Sequence, residues 1–463
     1  MNIMRLQLNT GHFLQVYAFA SLVFCGLVQY FTGIGAVLWL PFLLVCAMFL
    51  LLLMQTRYEA LDLDYQEYAI LTLFVGFFVM VLVNTFLQSG VLVTIVGLKN
   101  ELALSLILFC LLLGFCRESQ VYRVLKSFYW IFYLQFPIIL YQVLVIVPKR
   151  VAIKGPYEKW DSVVGTFGGD PMAGGNTAAM GLLCLLVMLM KVSEFKHGVT
   201  SKKSVVFHVS AAFLLCILGE IKFVILLSPM LLAMVWLSTS YIKGMKSFDL
   251  KMLLIIVAGA MVLITGAILA LAASYTSSIG ADPTKGPFDV FIDSLGYIFD
   301  PNYIMESGEL GRMTTIFFWL NNSDLYGVSG MFFGYGLNAT NHGSSVSPGF
   351  LNIVLNVLLD STSLSMLLWE TGLVGTVFFI TLVVYIFKVT KPVGTFEPIQ
   401  LNKEDIQLLS FQPALRAFVI GCLLSLPYSQ ILMLTPMLQF LFYFSLGASL
   451  VIRHSILKYA EKL

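Results

Sequence analysis

The chain has 463 residues, 59% of them hydrophobic and only 11% charged, with a mean hydropathy of +0.90 and a formal net charge of +2. A soluble domain carries roughly 25% charged residues to stay solvated, so this composition excludes an ordinary water-soluble fold. The near-neutral balance also leaves no basic face for a nucleic acid.

Hydrocarbon offers the backbone no water, so spanning segments must be helices or a closed barrel. A barrel would show short alternating segments, whereas this chain shows long unbroken apolar runs. The expected fold is all-α. It is one integral membrane domain over 1–463, a polytopic transmembrane helical bundle of about twelve spans.

The run from His12 to Thr32 is too long and too aromatic for the apolar core of a signal peptide, so it reads as a retained first span. Apolar stretches follow at 34–54, 69–88, 97–115, 127–147 and 174–191, completing a first half. The second half holds 205–219, 222–241, 252–274, 364–387, 413–427 and 431–451. Gly219-Glu220-Ile221-Lys222 interrupts the second half early, as either a tight turn or a kink within one long helix. All seven cysteines lie in or beside apolar runs, which argues against disulfides and a CxxC metal site.

Lys and Arg resist translocation and therefore orient the spans. With both termini cytoplasmic, the inner connections collect Arg117, Arg123, Lys126, Lys196, Lys202, Lys203, Lys243, Lys246, Lys251, Lys388, Lys391, Lys403, Arg453, Lys458 and Lys462. The cytoplasmic piece 389–412 reads as a mobile linker. Two outer connections break the pattern of short loops. The segment 148–173 carries Lys149, Arg150, Lys154 and Lys159 and then turns Gly-rich. The segment 274–363 is rich in Gly, Ser, Asn and acidic residues, including Asp282, Glu306 and Glu309. A loop that long is usually functional. Its apolar patches Phe288–Ile292 and Met313–Leu320 predict short amphipathic helices on the membrane surface.

Ionisable groups placed in or beside spans are costly, so each is a candidate for function. On the expected outer side stand Lys99, Glu220, Lys222, Arg312 and Asp360. Each also has a plainer reading. Lys99 reads equally as a cation snorkelling to the interface. Glu220 and Lys222 read as a structural ion pair, and Arg312 as a solvated loop charge. Asp360, before Ser361-Thr362-Ser363, reads as a helix N-cap. Taken together, cations in an outward half-buried cavity would hold a strongly anionic ligand. Arg brings a planar fork for phosphate, Lys a point charge. A lipid pyrophosphate suits that depth, with its tail in the bilayer and its head at the interface. A general base for an attacking hydroxyl would then come from Asp360, Glu220 or His342. His342 also reads as a turn residue in Asn341-His342-Gly343. No P-loop, dinucleotide fingerprint, HExxH or GxSxG occurs, so neither a metal nor a cofactor is expected.

Four pieces in order give a resemblance over roughly 90–390. They are Gly165-Thr166-Phe167-Gly168-Gly169-Asp170-Pro171 and Gly219-Glu220-Ile221-Lys222. They continue with Gly311-Arg312, followed by Phe333-Gly334-Tyr335-Gly336, and with Glu370-Thr371-Gly372-Leu373-Val374-Gly375. In this order the chain resembles the bacterial O-antigen ligase and Wzy-type polysaccharide polymerase superfamily. Ligases of that superfamily place a His shortly before the Glu-x-Gly element; here that stretch reads Asp360-Ser361-Thr362-Ser363. Lys222 stands where many relatives have Arg. The resemblance therefore favours a polymerase over a ligase.

It implies metal-independent glycosyl transfer at the periplasmic face of the bacterial inner membrane, building O-antigen, capsule or exopolysaccharide. The donor and acceptor would be glycans on undecaprenyl pyrophosphate, with a chain-length regulator and a flippase as possible partners. Lys222 and Arg312 are expected to contact the pyrophosphate, with Arg150 or Lys99 assisting. Asp360 is expected to activate the acceptor, with His342 in reserve. The alternatives are a ligase acting on lipid A-core and a lipid-linked sugar flippase or transporter.

Overall fold

A computed structural model describes residues 10–54, 63–155, 159–245, 250–279, 285–305, 307–343, 347–397 and 401–460. Asp282, Glu306, Lys246 and Lys462 lie outside these residues. Helices occupy each of the twelve apolar stretches. Among the described residues nine helices are long and apolar enough to cross a membrane. They are Thr10–Thr32, Gly35–Met54, Tyr65–Leu112, Glu118–Lys154, Thr177–Lys196, Leu250–Ala273, Ser363–Val389, Lys403–Ser425 and Pro436–Lys458.

Two differences from the twelve expected segments have local causes. The stretches 69–88 and 97–115 are joined in one helical run, Tyr65–Leu112, which departs from helical geometry at Gly90. At ~1.5 Å per residue that run is far longer than the ~30 Å of a hydrocarbon core. The stretches 205–219 and 222–241 form two short helices, Lys202–Leu218 and Lys222–Leu237. Between them Glu220 takes a left-handed conformation with φ +56, and the Ile221 amide reaches back to the Cys216 carbonyl at 2.9 Å. The break is therefore a tight turn. Its two arms run antiparallel, because Lys196 bonds the Trp236 carbonyl at 2.6 Å and His197 bonds Ser240 at 2.8 Å at their far ends.

Burial sorts the helices into layers. Thr177–Lys196, Lys403–Ser425 and Pro436–Lys458 are almost wholly enclosed, whereas Gly35–Met54 and Leu250–Ala273 are mostly exposed. The outer helices present Leu43, Leu50, Val79, Val83, Leu254 and Val262 on their open faces. Water would not tolerate so continuous an apolar surface, and a bilayer covers it. Apolar residues thus face both inward and outward, the mark of a helix bundle in a membrane.

The long segment before Ser363 is built from short helices: Pro287–Asp293, Gly296–Phe299, Arg312–Asn322, Val328–Phe333 and Phe350–Leu355. Two of these coincide with the apolar patches Phe288–Ile292 and Met313–Leu320. The Gly-rich stretch near 165–175 departs slightly from an all-α plan. It forms a two-stranded hairpin pairing Gly169 with Gly175 and Asp170 with Gly174. In the piece 389–412, helix resumes at Lys403 behind an Asn402 cap. Upstream of that, Phe396 pairs with Ile242, and the Thr395 amide bonds the Tyr241 carbonyl at 2.7 Å. Those bonds anchor much of the expected linker.

Candidate functional site

Lys222 and Arg312 are 90 positions apart in the chain (312 − 222), yet they converge on one ring. Lys222 opens its helix just after the Glu220 turn, and Arg312 opens the helix Arg312–Asn322. The Lys222 Nζ lies 5.9 Å and the Arg312 Cζ 5.5 Å from the centre of the Tyr297 ring. Both distances suit attraction of a cation to an aromatic quadrupole. The Tyr297 hydroxyl meets the Tyr428 hydroxyl at 3.0 Å, and Tyr428 stacks on Phe223 at 4.9 Å. Burial pushes the phenol pKa of both tyrosines up, so both stay neutral hydrogen-bonding groups.

The carboxyl of Glu220 acts electrostatically on Lys222, Tyr297 and Tyr428. Lys222 donates to the Ser294 hydroxyl at 3.1 Å. Arg312 Nη1 donates to Glu309 at 2.9 Å and to the Ser361 carbonyl at 2.6 Å. Glu309 fills one corner of the guanidinium fork. The Arg312 Nε and the neighbouring Ser361 hydroxyl are buried without a hydrogen-bond partner. Buried donors left unmet are expensive, about 1–3 kcal/mol each. Both residues line a cavity of about 290 Å³ that also receives Gln29, Asn176, Gln430 and Thr435. A ligand with acceptor oxygens would satisfy them.

Asp360 sits one residue from the Arg312 contact at Ser361. It is buried, and its Oδ2 accepts the His342 backbone amide at 3.1 Å. Burial is the main cause of a carboxyl pKa above the usual range; the His342 amide and ring oppose it. The N-cap of the helix Ser363–Val389 is Thr362, whose hydroxyl accepts from the Ser365 amide. Asp360 is therefore not the cap, and its carboxylate is committed to the loop. The His342 ring is exposed at the same place.

Lys99 does not contact this group, and Arg150 reaches it through Asp161, whose carboxyl acts on both Arg150 and Lys222. The Arg150 guanidinium is fully buried, donates to the Pro171 carbonyl at 2.8 Å and lies 3.7 Å from Asp161. Its charge holds the Gly-rich hairpin in place. The Lys99 ammonium contacts the neighbouring Asn100 side chain at 2.8 Å and lies 5.4 Å above Trp39. Glu220, Lys222, Arg312, Asp360 and His342 are thus brought to one end of the bundle.

The same end shows a docked segment that sequence reasoning missed. Residues 333–341 insert between Tyr65–Leu112 and Ser363–Val389. The Phe333 carbonyl accepts from Asn84 at 2.7 Å, and the Leu337 amide bonds Thr85 at 2.9 Å. The Asn338 amide bonds Glu101 at 3.0 Å, and Thr340 gives Glu370 both its amide, at 3.0 Å, and its hydroxyl, at 2.6 Å. The Glu101 and Glu370 carboxyls are both buried and close enough to act on each other electrostatically, and each keeps one oxygen without a hydrogen-bond partner. Only Glu370's place in a Gly-containing motif hinted at this role. The segment ends at Asn341-His342, so the acid pair sets where His342 meets Asp360.

The pair makes a test of packing. Glu101→Gln keeps an acceptor for the Asn338 amide and removes a buried carboxyl from beside Glu370, so unfolding in detergent should shift by less than about 1 kcal/mol. Glu101→Leu leaves the buried Asn338 amide unmet and should cost about 1–3 kcal/mol. A Leu variant as stable as the parent protein would mean that Glu101 does not hold the Asn338 amide.

Among the described residues no group of three His, Cys, Asp or Glu side chains is placed to hold a metal ion. Compared with known proteins, the chain matches no family model, and no curated protein pairs with its sequence.

Proposed function

We propose that this protein is a polymerase of glycan repeat units carried on a polyprenyl pyrophosphate, working at the outer face of a bacterial inner membrane. The observation that carries the reading is the convergence of Lys222 and Arg312 on Tyr297, beside a cavity with unmet donors at Arg312 and Ser361. An amphiphilic pyrophosphate would bring acceptor oxygens to the cations and a sugar to the amide- and hydroxyl-lined cavity, while its tail stays in the bilayer.

The chemistry is a displacement at the anomeric carbon. Asp360 takes the proton of an acceptor hydroxyl, whose oxygen bonds to the donor's anomeric carbon. The bond from that carbon to the pyrophosphate oxygen breaks, and the lipid pyrophosphate leaves with the electron pair. Lys222 and Arg312 offset its charge, the role such clamps play on departing phosphates. Glu309 releases the Arg312 fork as the anion enters. His342 stands in reserve as a proton carrier, and Glu220 tunes the Lys222–Tyr297–Tyr428 group.

The orientation also fits. Lys196, Lys243, Lys388, Lys391 and Arg453 gather at the end opposite this site, through the contacts among 196–202, 236–243, 388–396 and 453. By the positive-inside tendency that end is cytoplasmic. The count of about twelve spans belongs to this reading, with Tyr65–Leu112 crossing twice and the two short helices forming a hairpin.

Deleting the gene in its host and running the surface glycan on a gel tests the proposal. A polymerase mutant accumulates single repeat units on the lipid anchor, and a Lys222→Ala plasmid restores only short chains. Full-length chains accumulating unattached would transfer the assignment to a ligase. An unchanged glycan would overturn both.

A further inference from the structure

The opposite end of the bundle holds a second and larger cavity, about 580 Å³. It lies where four helix ends meet. Gln66 starts Tyr65–Leu112, Lys388 closes Ser363–Val389, and Arg453 belongs to the last turns of Pro436–Ala460. Tyr241 comes from the turn after Lys222–Leu237, pinned there by the Thr395 and Phe396 amides on its carbonyl. Lys388 is 25 residues along its helix from Ser363 (388 − 363), which is roughly 35 Å at ~1.5 Å per residue. The cavity is therefore remote from Arg312 and Asp360 and independent of the chemistry proposed there.

Its charges do not cancel. Arg453 is matched by Glu67, at 3.0 Å, and by Asp64. Glu67 also meets His454 at 3.0 Å. Lys388 and Lys391 are exposed at the rim, and neither has an acidic partner among the described residues. Counting Arg453, Lys388 and Lys391 against Asp64 and Glu67, one positive charge is left over (3 − 2), and among the described residues both lysines stand free of acids at the rim. A third feature points inward: the Tyr241 side chain is buried, lines the cavity, and its hydroxyl has no hydrogen-bond partner. Burial pushes that phenol up to about 12, against the pull of Arg453 and Arg416, so it stays a donor. The wall beside these groups is apolar, from Tyr385 and Val389 on the side of the span and from Val393, Ile456 and Leu457 beyond it.

We propose that this cavity binds an anionic membrane lipid, its phosphate held by Lys388 and Lys391 and its acyl chains running back past Tyr385 and Val389 toward the hydrocarbon. The observations separate a lipid from a free phosphate. A small hydrated anion gains nothing from an apolar wall, whereas a lipid uses both halves of the cavity. The site lies at the ends of apolar helices, where a headgroup sits. A bound lipid would brace the junction between the Tyr241 turn and the segment 393–396, which otherwise rests on a few backbone bonds.

The test uses the full chain in mixed micelles, with retained lipid counted by native mass spectrometry. Phosphatidylglycerol and phosphatidylcholine are offered in parallel. The parent protein should retain one phosphatidylglycerol in preference to phosphatidylcholine. The Lys388→Gln/Lys391→Gln variant should lose roughly ten- to thirtyfold in that affinity. Tyr241→Phe, which keeps the ring and removes only the hydroxyl, should lose a smaller part. Equal retention by parent and double variant would overturn the proposal. So would an equal loss in Lys202→Gln/Lys203→Gln, which would mean diffuse attraction to basic residues. Displacement by millimolar inorganic phosphate alone would also overturn it, in favour of a free-anion site.

Discussion

Arg312→Ala should leave the host with single repeat units in place of long glycan chains, a loss of about 100- to 1,000-fold in polymer-forming rate. That range is what removal of one positioned charge-stabilising group costs when charge develops on a departing group. The loss follows from the geometry of the side chain. Its Nη1 is held by Glu309 and the Ser361 carbonyl, while Nε is buried without a partner in a residue that lines the cavity. Arg312→Lys restores the charge but not the fork, so it should recover only part of the rate. The readout is chain length on a gel at matched expression, followed by transfer on purified lipid-linked substrate. Wild-type chains from Arg312→Ala would remove Arg312 from the site and leave Lys222 without its counterpart on Tyr297.

Gly372→Ala should be among the most damaging single-methyl changes in the protein, destabilising it by about 3–5 kcal/mol and abolishing accumulation in the membrane. Gly372 breaks the helix Ser363–Val389 with φ +68 and ψ −174, a conformation that essentially only glycine adopts. A Cβ there would stand 2.4 Å from the Phe332 carbonyl oxygen and 2.5 Å from the Gly334 amide nitrogen. Gly334 answers it: a Cβ at that position would meet the Glu370 carbonyl oxygen at 2.4 Å. The close approach lets the Tyr335 amide bond Trp369 at 2.8 Å and the Gly336 amide bond Glu370 at 3.0 Å. Strain and lost bonds therefore add. Gly296→Ala is the control, because a Cβ there meets nothing within 4 Å and should leave unfolding within about 0.5 kcal/mol of the parent. Thermal unfolding in detergent distinguishes them. A stable Gly372→Ala protein would mean that the segment 333–341 does not dock against this helix.

These two glycines also show how far sequence reasoning reaches. Glu370-Thr371-Gly372 and Phe333-Gly334-Tyr335-Gly336 stand out as motifs in the chain, and each is where the fold needs something special. That they need each other is invisible in one dimension. The same holds for the acid pair: Glu101 reads as a charge beside Lys99, and Glu370 as a motif letter, until packing puts their carboxyls together. Tyr297 and Tyr428 carry no signal at all in an aromatic-rich chain, because a tyrosine at a helix end is usually an interface anchor. Arg150 shows the converse. Its position against the charge trend marked it as unusual, and it is unusual, but as a buried brace on Pro171 and Asp161 that reaches Lys222 through the Asp161 carboxyl.

The chain alone determined the class of fold, because apolar run length and the scarcity of charge follow directly from the solvent a helix must face. It also marked the interruption at Gly219–Lys222 and the polar stretch 274–363, because polar clusters act locally, but only the structure made the first a turn and gave the cap after the second to Thr362 and not Asp360. Tertiary structure alone decided which charges meet. Placing Lys222 and Arg312 on one tyrosine, or Glu101 against Glu370, depends on contacts between residues far apart in sequence. Such contacts are chosen by the packing of whole helices, and no local pattern records them.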